Sequence, residues 1–214
     1  MQRDINIIEV YRMIHCENLD SILHYGIHKE NPSNSNEYVN IGSPSIISYR
    51  SRVPVKCFPG TMVNDYIPFY FAVKTPMLYK IKTGHGVSQL PQDEIIYLVC
   101  NFKDIADSQS QWCYTDGNAA SSISEFYNSL DQIEKLDWKS IESEDWSDNN
   151  RDGDNDRMRK KHSEFLVKDH VAAKWIKRIV VLTESRMRFV ENLVNKYGLA
   201  IFIQVDKNNK FYFS

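Results

Sequence analysis

The chain has 214 residues, 42% of them apolar, and a formal net charge of −2. That length supports one globular domain with a real core, while the near-neutral charge excludes a broadly basic surface for nucleic acid or anionic membrane. The longest apolar runs are far too short to cross a bilayer, and residues 1–10 are polar and charged, unlike a secretory leader, so a cytoplasmic protein with no membrane partner is expected.

Read in chain order, residues 9–14 form a strand that leads into a helix through Leu19, Ile22 and Leu23, with Asn18 as its cap and Gly26 as its stop. Residues 29–36 are rich in Asn, Ser and Pro and read as a loop. Residues 41–61 carry Gly42, Pro44, Pro54, Pro59 and Gly60, which predicts an irregular segment able to fold over a ligand. Two apolar and aromatic stretches, 68–71 and 77–81, are separated by Pro76. The run IIYLV at 95–99 is the clearest buried strand. Residues 124–136 have helical spacing, with Phe126, Tyr127, Leu130, Ile133 and Leu136 on one face. The polar stretch 145–157 reads as an exposed loop. Strands are predicted at 165–167, 179–182, 199–205 and 211–213, with an amphipathic helix over 185–197. Many short strands, interspersed helices and no βαβ alternation give an α+β class, as one domain over 1–214.

The common chemical motifs are absent. Cys16, Cys57, Cys100 and Cys113 form no C-x-x-C pair and read as scattered thiols rather than a disulfide framework. Gly84-His85-Gly86 lacks the third glycine and the helix that a dinucleotide site needs. Asp148, Asn150, Asp152 and Gly153 match half of a calcium loop, but Arg159 stands where calcium requires a bidentate Glu. His24 and His28 are separated by Gly26, which breaks the helix that would align them. No metal is expected. No G-x-S-x-G or reactive cysteine setting is present. The 12 Tyr, 10 Phe and 4 Trp build cores but also line pockets for flat ligands. Taken singly, Tyr49-Arg50-Ser51-Arg52 is a solvated basic turn, the mixed stretch 64–71 the start of a strand, and Glu164 a strand-edge carboxylate.

In order and together, these segments resemble the DarT family. The matching blocks are YRMIHCENL (11–19), YVNIG (38–42), YRSR (49–52), GT (60–61), DYIPFYF (65–71), PML (76–78), EIIYLV (94–99), WCYTDG (112–117), RKKHSEFLV (159–167) and YF (212–213). DYIPFYF followed by PML is the most specific of them. The resemblance implies an ADP-ribosyltransferase fold with a central split β-sheet and flanking helices. It implies transfer of ADP-ribose from NAD, a co-substrate, to a base, thymine in single-stranded DNA, with release of nicotinamide. It also implies a toxin held by a macrodomain-type antitoxin. The same chemistry on RNA, or on protein, is the alternative.

By motif position the resemblance makes Glu164 and Arg50 the catalytic pair and places Arg12, Met13, Asn18, Asn40 and Arg50 at NAD. An acceptor pocket is expected from Tyr49, Tyr66, Tyr70, Thr115, Asp116 and Asn118, with Arg52 and Lys160 beside it. Aromatic faces there would stack on a base while polar edges read it. Candidate phosphate contacts are Arg52, Lys56, Arg157, Arg159, Lys160 and Lys161. Many relatives carry His at the positions of Asn64 and Asn118, and Gln-Ala where this chain has His162-Ser163. Arg50, expected on an irregular segment, should matter to activity and little to stability.

Overall fold

In the computed structural model, residues 3–29, 38–148 and 153–214 are described. Strand β1 (Glu9–His15) passes through a 3-10 turn into α1 (Leu19–Tyr25). Gly26 ends that helix at φ 90°, and a Cβ there would meet the Val171 carbonyl at 2.8 Å, so only glycine fits. The chain continues as β2 (Ile27–His28), α2 (Pro44–Arg50), β3 (Tyr66–Tyr70), α3 (Pro76–Thr83), β4 (Ile95–Asn101), α4 (Phe102–Ser108), β5 (Trp112–Thr115) and β6 (Phe126–Tyr127). It ends with α5 (Trp138–Glu142), α6 (Arg157–Lys161), β7 (Glu164–Lys168), β8 (His170–Val171), β9 (Ile176–Val181), α7 (Glu184–Lys196) and β10 (Phe202–Val205). The α+β class holds.

Eight strands form one sheet in the order β10-β9-β4-β1-β3-β7-β5-β6, and β2 pairs with β8 apart from it. β1 pairs with β4 along its whole length, from Glu9↔Asn101 to His15↔Ile95. It meets β3 at Tyr11↔Tyr70 alone. The sheet is therefore split at its centre. Pro68 contributes to this: its carbonyl accepts from Arg12 Nη1 at 2.9 Å, so it faces β1. The N–H that proline lacks is one that the β1 ladder would have used.

The largest core packs Val10, Ile14, Leu98, Phe102 and Phe165 under α1, α4 and α7. On the opposite face Met13, Tyr97 and Val99 pack against Leu78 and Ile81 of α3 and against Phe211 and Tyr212. A smaller cluster of Val55, Val63, Tyr66, Cys113 and Leu166 closes the outer corner. The four cysteines are free thiols, and three of them are buried. Among the described residues no helix is long and apolar enough to cross a membrane, and no three His, Cys, Asp or Glu converge on a metal position. Of the calcium-like stretch, Asn150 and Asp152 lie outside the described residues; most of the expected loop at 29–36 does too.

Three expectations are corrected. Residues 41–61 contain α2, which begins on Pro44, a residue that suits the first helical turn. Residues 124–136 form β6 and then a 3-10 helix at Leu130–Lys135. Leu130, Ile133 and Leu136 share a period of three as readily as a helical stripe, and sheet pairing of Tyr127 with Tyr114 claims the start of the segment. Residues 211–213 are not a strand. Asp206 instead gathers the backbone N–H groups of Lys210, Phe211 and Tyr212 at 2.9, 2.7 and 3.1 Å. This presses two aromatic rings under β4, where the Tyr212 hydroxyl donates to the Ile95 carbonyl at 2.8 Å.

Because Asp206 is buried and satisfies three donors, Asp206→Ala is expected to cost about 2–4 kcal/mol. Urea denaturation measures this, and a loss below about 0.5 kcal/mol would remove the carboxylate's assigned role.

Candidate active site

The split opens a cleft of about 270 Å³ between β1 and β3, closed on one side by α2 and the segment 38–43. Arg12, Met13, Asn18, Asn40, Arg50 and Tyr70 all line it. The sequence-predicted NAD residues thus converge, although from separate elements. Their side chains differ in freedom. Asn18 spends both ends of its amide on Val39, donating to its carbonyl at 2.8 Å and accepting from its N–H at 2.9 Å. It pins the cleft wall and does not cap α1. Asn40 accepts from the Gly42 N–H at 2.8 Å. Arg12 donates to Pro68, and its buried Nε has no hydrogen-bond partner among the described residues.

At one end of this cleft Arg50 forms a two-pronged pair with Glu164. Nη1 reaches Oε1 at 3.1 Å and Nη2 reaches Oε2 at 2.9 Å. Glu164 is 1% exposed at the start of β7, opposite Tyr70. Its Oε1 also accepts the Ala119 N–H at 2.9 Å. Burial pulls the Arg50 guanidinium down, and the charge and hydrogen bonds of Glu164 more than restore it, so it is held above its ordinary value. Burial first, and then Glu164, raises the Tyr70 hydroxyl far above the usual phenol range. Tyr70 is therefore a neutral phenol here, not a base. Arg50 stands between Glu164 and the cleft: Arg50 is among the lining residues, and the fully buried Glu164 is not.

The loop 116–125 brings Ala119 to Glu164, and Arg159 of α6 holds that loop. Its guanidinium reaches Asp116 at 2.9 Å, Ser124 Oγ at 3.0 Å and Asp156 at 2.7 Å. Its carbonyl accepts the Asn118 N–H at 3.0 Å. Gly117 is required beneath it, because a Cβ there would lie 2.3 Å from Nη1. Arg159 was expected to meet phosphate, yet its charge is spent inside the protein. Nothing in the sequence alone marked it as the clamp.

The expected acceptor residues separate. Tyr66 and Tyr70 both line the cleft, but Tyr66 is buried and its hydroxyl is turned to Thr61 and Gln111. Tyr49 is 51% exposed and Arg52 is exposed, outside the cleft. Thr115 is buried and fixes β7, accepting from the Glu164 N–H at 3.3 Å. Asp116 is taken by Arg159, and the Asn118 side chain accepts from the Ala120 N–H at 2.9 Å within its own loop. Lys160 pairs with Asp137 and Asp154, both at 3.1 Å. Of the other expected phosphate contacts, Lys56 bonds Ser124 and Glu125, while Arg157 and Lys161 are buried. His162, two residues before Glu164, stands out in the sequence only as a departure from relatives. Its ring stands 6.1 Å from Tyr70, and its Nδ1 meets the Met158 carbonyl at 3.1 Å. A carbonyl only accepts, so Nδ1 carries the proton.

Residues 11–213 match the family model for DarT, the single-stranded DNA thymidine ADP-ribosyltransferase. The chain belongs to the DarT family. It is therefore a member of a family of enzymes that ADP-ribosylate DNA. It is 30% identical to a DNA ADP-ribosyl transferase of Thermus aquaticus over 88% of this chain and 81% of that protein. It is 28% identical to a DNA ADP-ribosyl transferase of Escherichia coli O127:H6 over 96% of this chain and 93% of that one. Solved structures of Thermus sp. 2.9 DarT share the fold at 24% identity. The complex with ADP-ribosylated ssDNA gives a TM-score of 0.86 with both chains fully covered. The complex with NAD+ gives 0.80, covering 96% of this chain and 98% of that one.

Arg50 ends α2 instead of lying on an irregular segment, and its removal leaves Glu164 buried without its cation. Arg50→Ala is therefore expected to destabilise the fold by about 3–5 kcal/mol, contrary to the small effect anticipated from sequence. Denaturant melts check this, and a change within about 0.5 kcal/mol would mean that Glu164 is solvated by other means.

Burial pushes the His162 imidazole down to about 4. A depressed folded value means that its neutral form contributes stability above the unfolded value of about 6.5, and that this is lost as pH falls toward 4. The side chain is only half-buried, so the contribution is on the order of 1 kcal/mol after screening. His162→Gln should flatten the stability profile between these pH values. Parallel wild-type and variant curves would show that His162 does not titrate with folding.

Proposed function

We propose that the protein transfers ADP-ribose from NAD to a thymine base of single-stranded DNA and releases nicotinamide. The observation that carries this reading is the two-pronged Arg50–Glu164 pair at the end of a cleft lined by Arg12, Met13 and Tyr70. The NAD+ and ADP-ribosylated ssDNA complexes of the Thermus relative support the choice of ligands.

In this reaction the bond between ribose C1′ and the nicotinamide nitrogen breaks, and its electron pair leaves with nicotinamide. A base nitrogen attacks C1′ and releases its proton to water. Positive charge builds on the ribose between these events. Glu164 is the carboxylate placed to stabilise that charge and to accept from the ribose hydroxyls. Arg50 is held firmly protonated, so it positions groups as a planar fork and does not abstract the proton. The unpartnered Nε of Arg12 is a donor waiting in the cleft wall for an oxygen of NAD.

Arg50 shields Glu164 from the cleft, so the pair must open for the carboxylate to touch the ribose. An anionic or carbonyl group of the substrates can compete for the guanidinium, and the Ala119 N–H stays behind to hold Oε1. Substrate arrival and exposure of the carboxylate are then one event. The toxin role, with a macrodomain-type antitoxin as partner, is part of the same proposal and rests on the family resemblance. RNA is the second acceptor reading, favoured by Asn64 and Asn118 standing where many relatives have His.

Glu164→Gln keeps the shape and loses the charge. It should fold and lose at least about 100-fold in transfer. Incubation with labelled NAD and separated DNA, RNA and protein pools checks both points. Label should enter single-stranded DNA for wild type and not for the variant. Wild-type-like labelling by Glu164→Gln would overturn the role of the carboxylate, and label in RNA or protein alone would replace the acceptor.

A further inference from the structure

A second cleft, of about 390 Å³, is larger than the first and has no part in the chemistry above. Consecutive residues divide the two: Tyr70 lines the first and Phe71 the second, where Tyr11, Trp138, Lys74 and Lys161 join it. Lys161 is 3% exposed, and its Nζ donates to the carbonyls of Ile141 at 2.7 Å and Ser143 at 2.8 Å. An ammonium has three protons, so one donor remains. Among the described residues no carboxylate pairs with it. Burial therefore prevails over the more distant Glu142 and Glu144 and pushes the ammonium down to about 8.

Two of the acids around this cleft are spent on other cations. Glu9 takes Arg178 at 2.6 Å, and Glu142 takes Arg3 at 2.7 Å. Lys74 stands in left-handed backbone at φ 49°, a conformation uncommon for a residue with a Cβ, and such strain gathers at binding sites. A buried ammonium without a counter-ion is costly in a protein interior. An anion entering the cleft would offset that cost, and the aromatic side chains of Tyr11 and Trp138, which line it, suit a nucleotide.

We propose that the second cleft holds a phosphate of the single-stranded acceptor, next to the nucleotide that enters the first cleft, with Lys161 and Lys74 as its cations. This rests on the acceptor reading above. A phosphate of NAD has the same chemistry, so the test separates the two sources.

Binding of a short thymine-containing DNA strand is measured over a salt series for wild type, Lys161→Met and Lys74→Asn. Asn tolerates left-handed backbone, and this variant keeps the test decisive if Lys161→Met unfolds. Lys207→Ala controls for bulk charge, since Lys207 pairs with Glu184 on the exposed surface. Each cleft variant should lose about 5-fold in affinity near physiological salt, and its salt slope should shrink by about 0.7 for one lost phosphate contact on a single strand. Lys207→Ala should keep both. NAD affinity is measured alongside. Wild-type DNA affinity and slope in folded cleft variants would overturn the proposal while leaving the acceptor reading intact. Weakened NAD binding with unchanged DNA binding would assign the cations to the dinucleotide and overturn it too. Failure of the wild type to bind or modify any DNA strand would sink both readings.

Discussion

The contact between Arg50 and Glu164 is the constraint around which the rest is arranged. A carboxylate that is 1% exposed is too costly to leave without a partner. α2 must end where its last residue can reach the start of β7, and the loop 116–125 must turn so that Ala119 adds a third donor. Arg159 and Gly117 serve that second requirement: the guanidinium lies against a residue with no side chain and ties both ends of the loop to α6. Three elements distant in sequence are thus locked by one charge. In the proposed reaction the arrangement also serves as a gate. If the guanidinium leaves for a substrate group, the backbone donor keeps the carboxylate aimed, so opening costs less than it would for an isolated pair.

The split sheet supplies the room for this pair to act. A continuous ladder between β1 and β3 would fill the cleft with backbone hydrogen bonds. Pro68 withholds one donor, and Arg12 occupies its carbonyl with a long side chain in place of a strand. The two half-sheets join at Tyr11 and Tyr70, one of which faces each cleft. A single pair of residues therefore separates the proposed site of bond breaking from the proposed site of strand anchoring.

Much of this was legible in the sequence, for a physical reason in each case. IIYLV announces a central strand because a run apolar on both faces has nowhere else to go, and all five residues are buried in β4. The helix at 184–196 shows as an apolar stripe of period 3.6. Arg50 and Glu164 were marked as candidates by their surrounding blocks, not by themselves, since a lone arginine and a strand-edge carboxylate carry no signal; the structure pairs them. What failed did so where tertiary contacts outvote local pattern. α2 hides among prolines and glycines because Pro44 starts a helix as well as it breaks one. The segment 124–136 has a helical stripe but gives its first residues to β5. Phe211 and Tyr212 look like a strand because rings buried by a carboxylate turn resemble rings buried by a sheet.

The charges show the same limit. Lys56, Arg157, Arg159, Lys160 and Lys161 read as a surface for phosphate, yet Arg159 and Lys160 each hold two carboxylates, and Lys56 holds one. A count of lysines and arginines measures composition; attraction to a polyanion depends on cations left unneutralised. With most of the run spent on the fold, little long-range pull on duplex or bulk nucleic acid remains. Binding must then come from a few cations in confined places and from a base that can leave its stack without cost, which a single strand provides and a paired duplex does not. Under the proposed reaction, the internal pairing that looks like wasted charge is a selectivity device: it lowers affinity for nucleic acid in general and leaves recognition of an unpaired strand to the clefts.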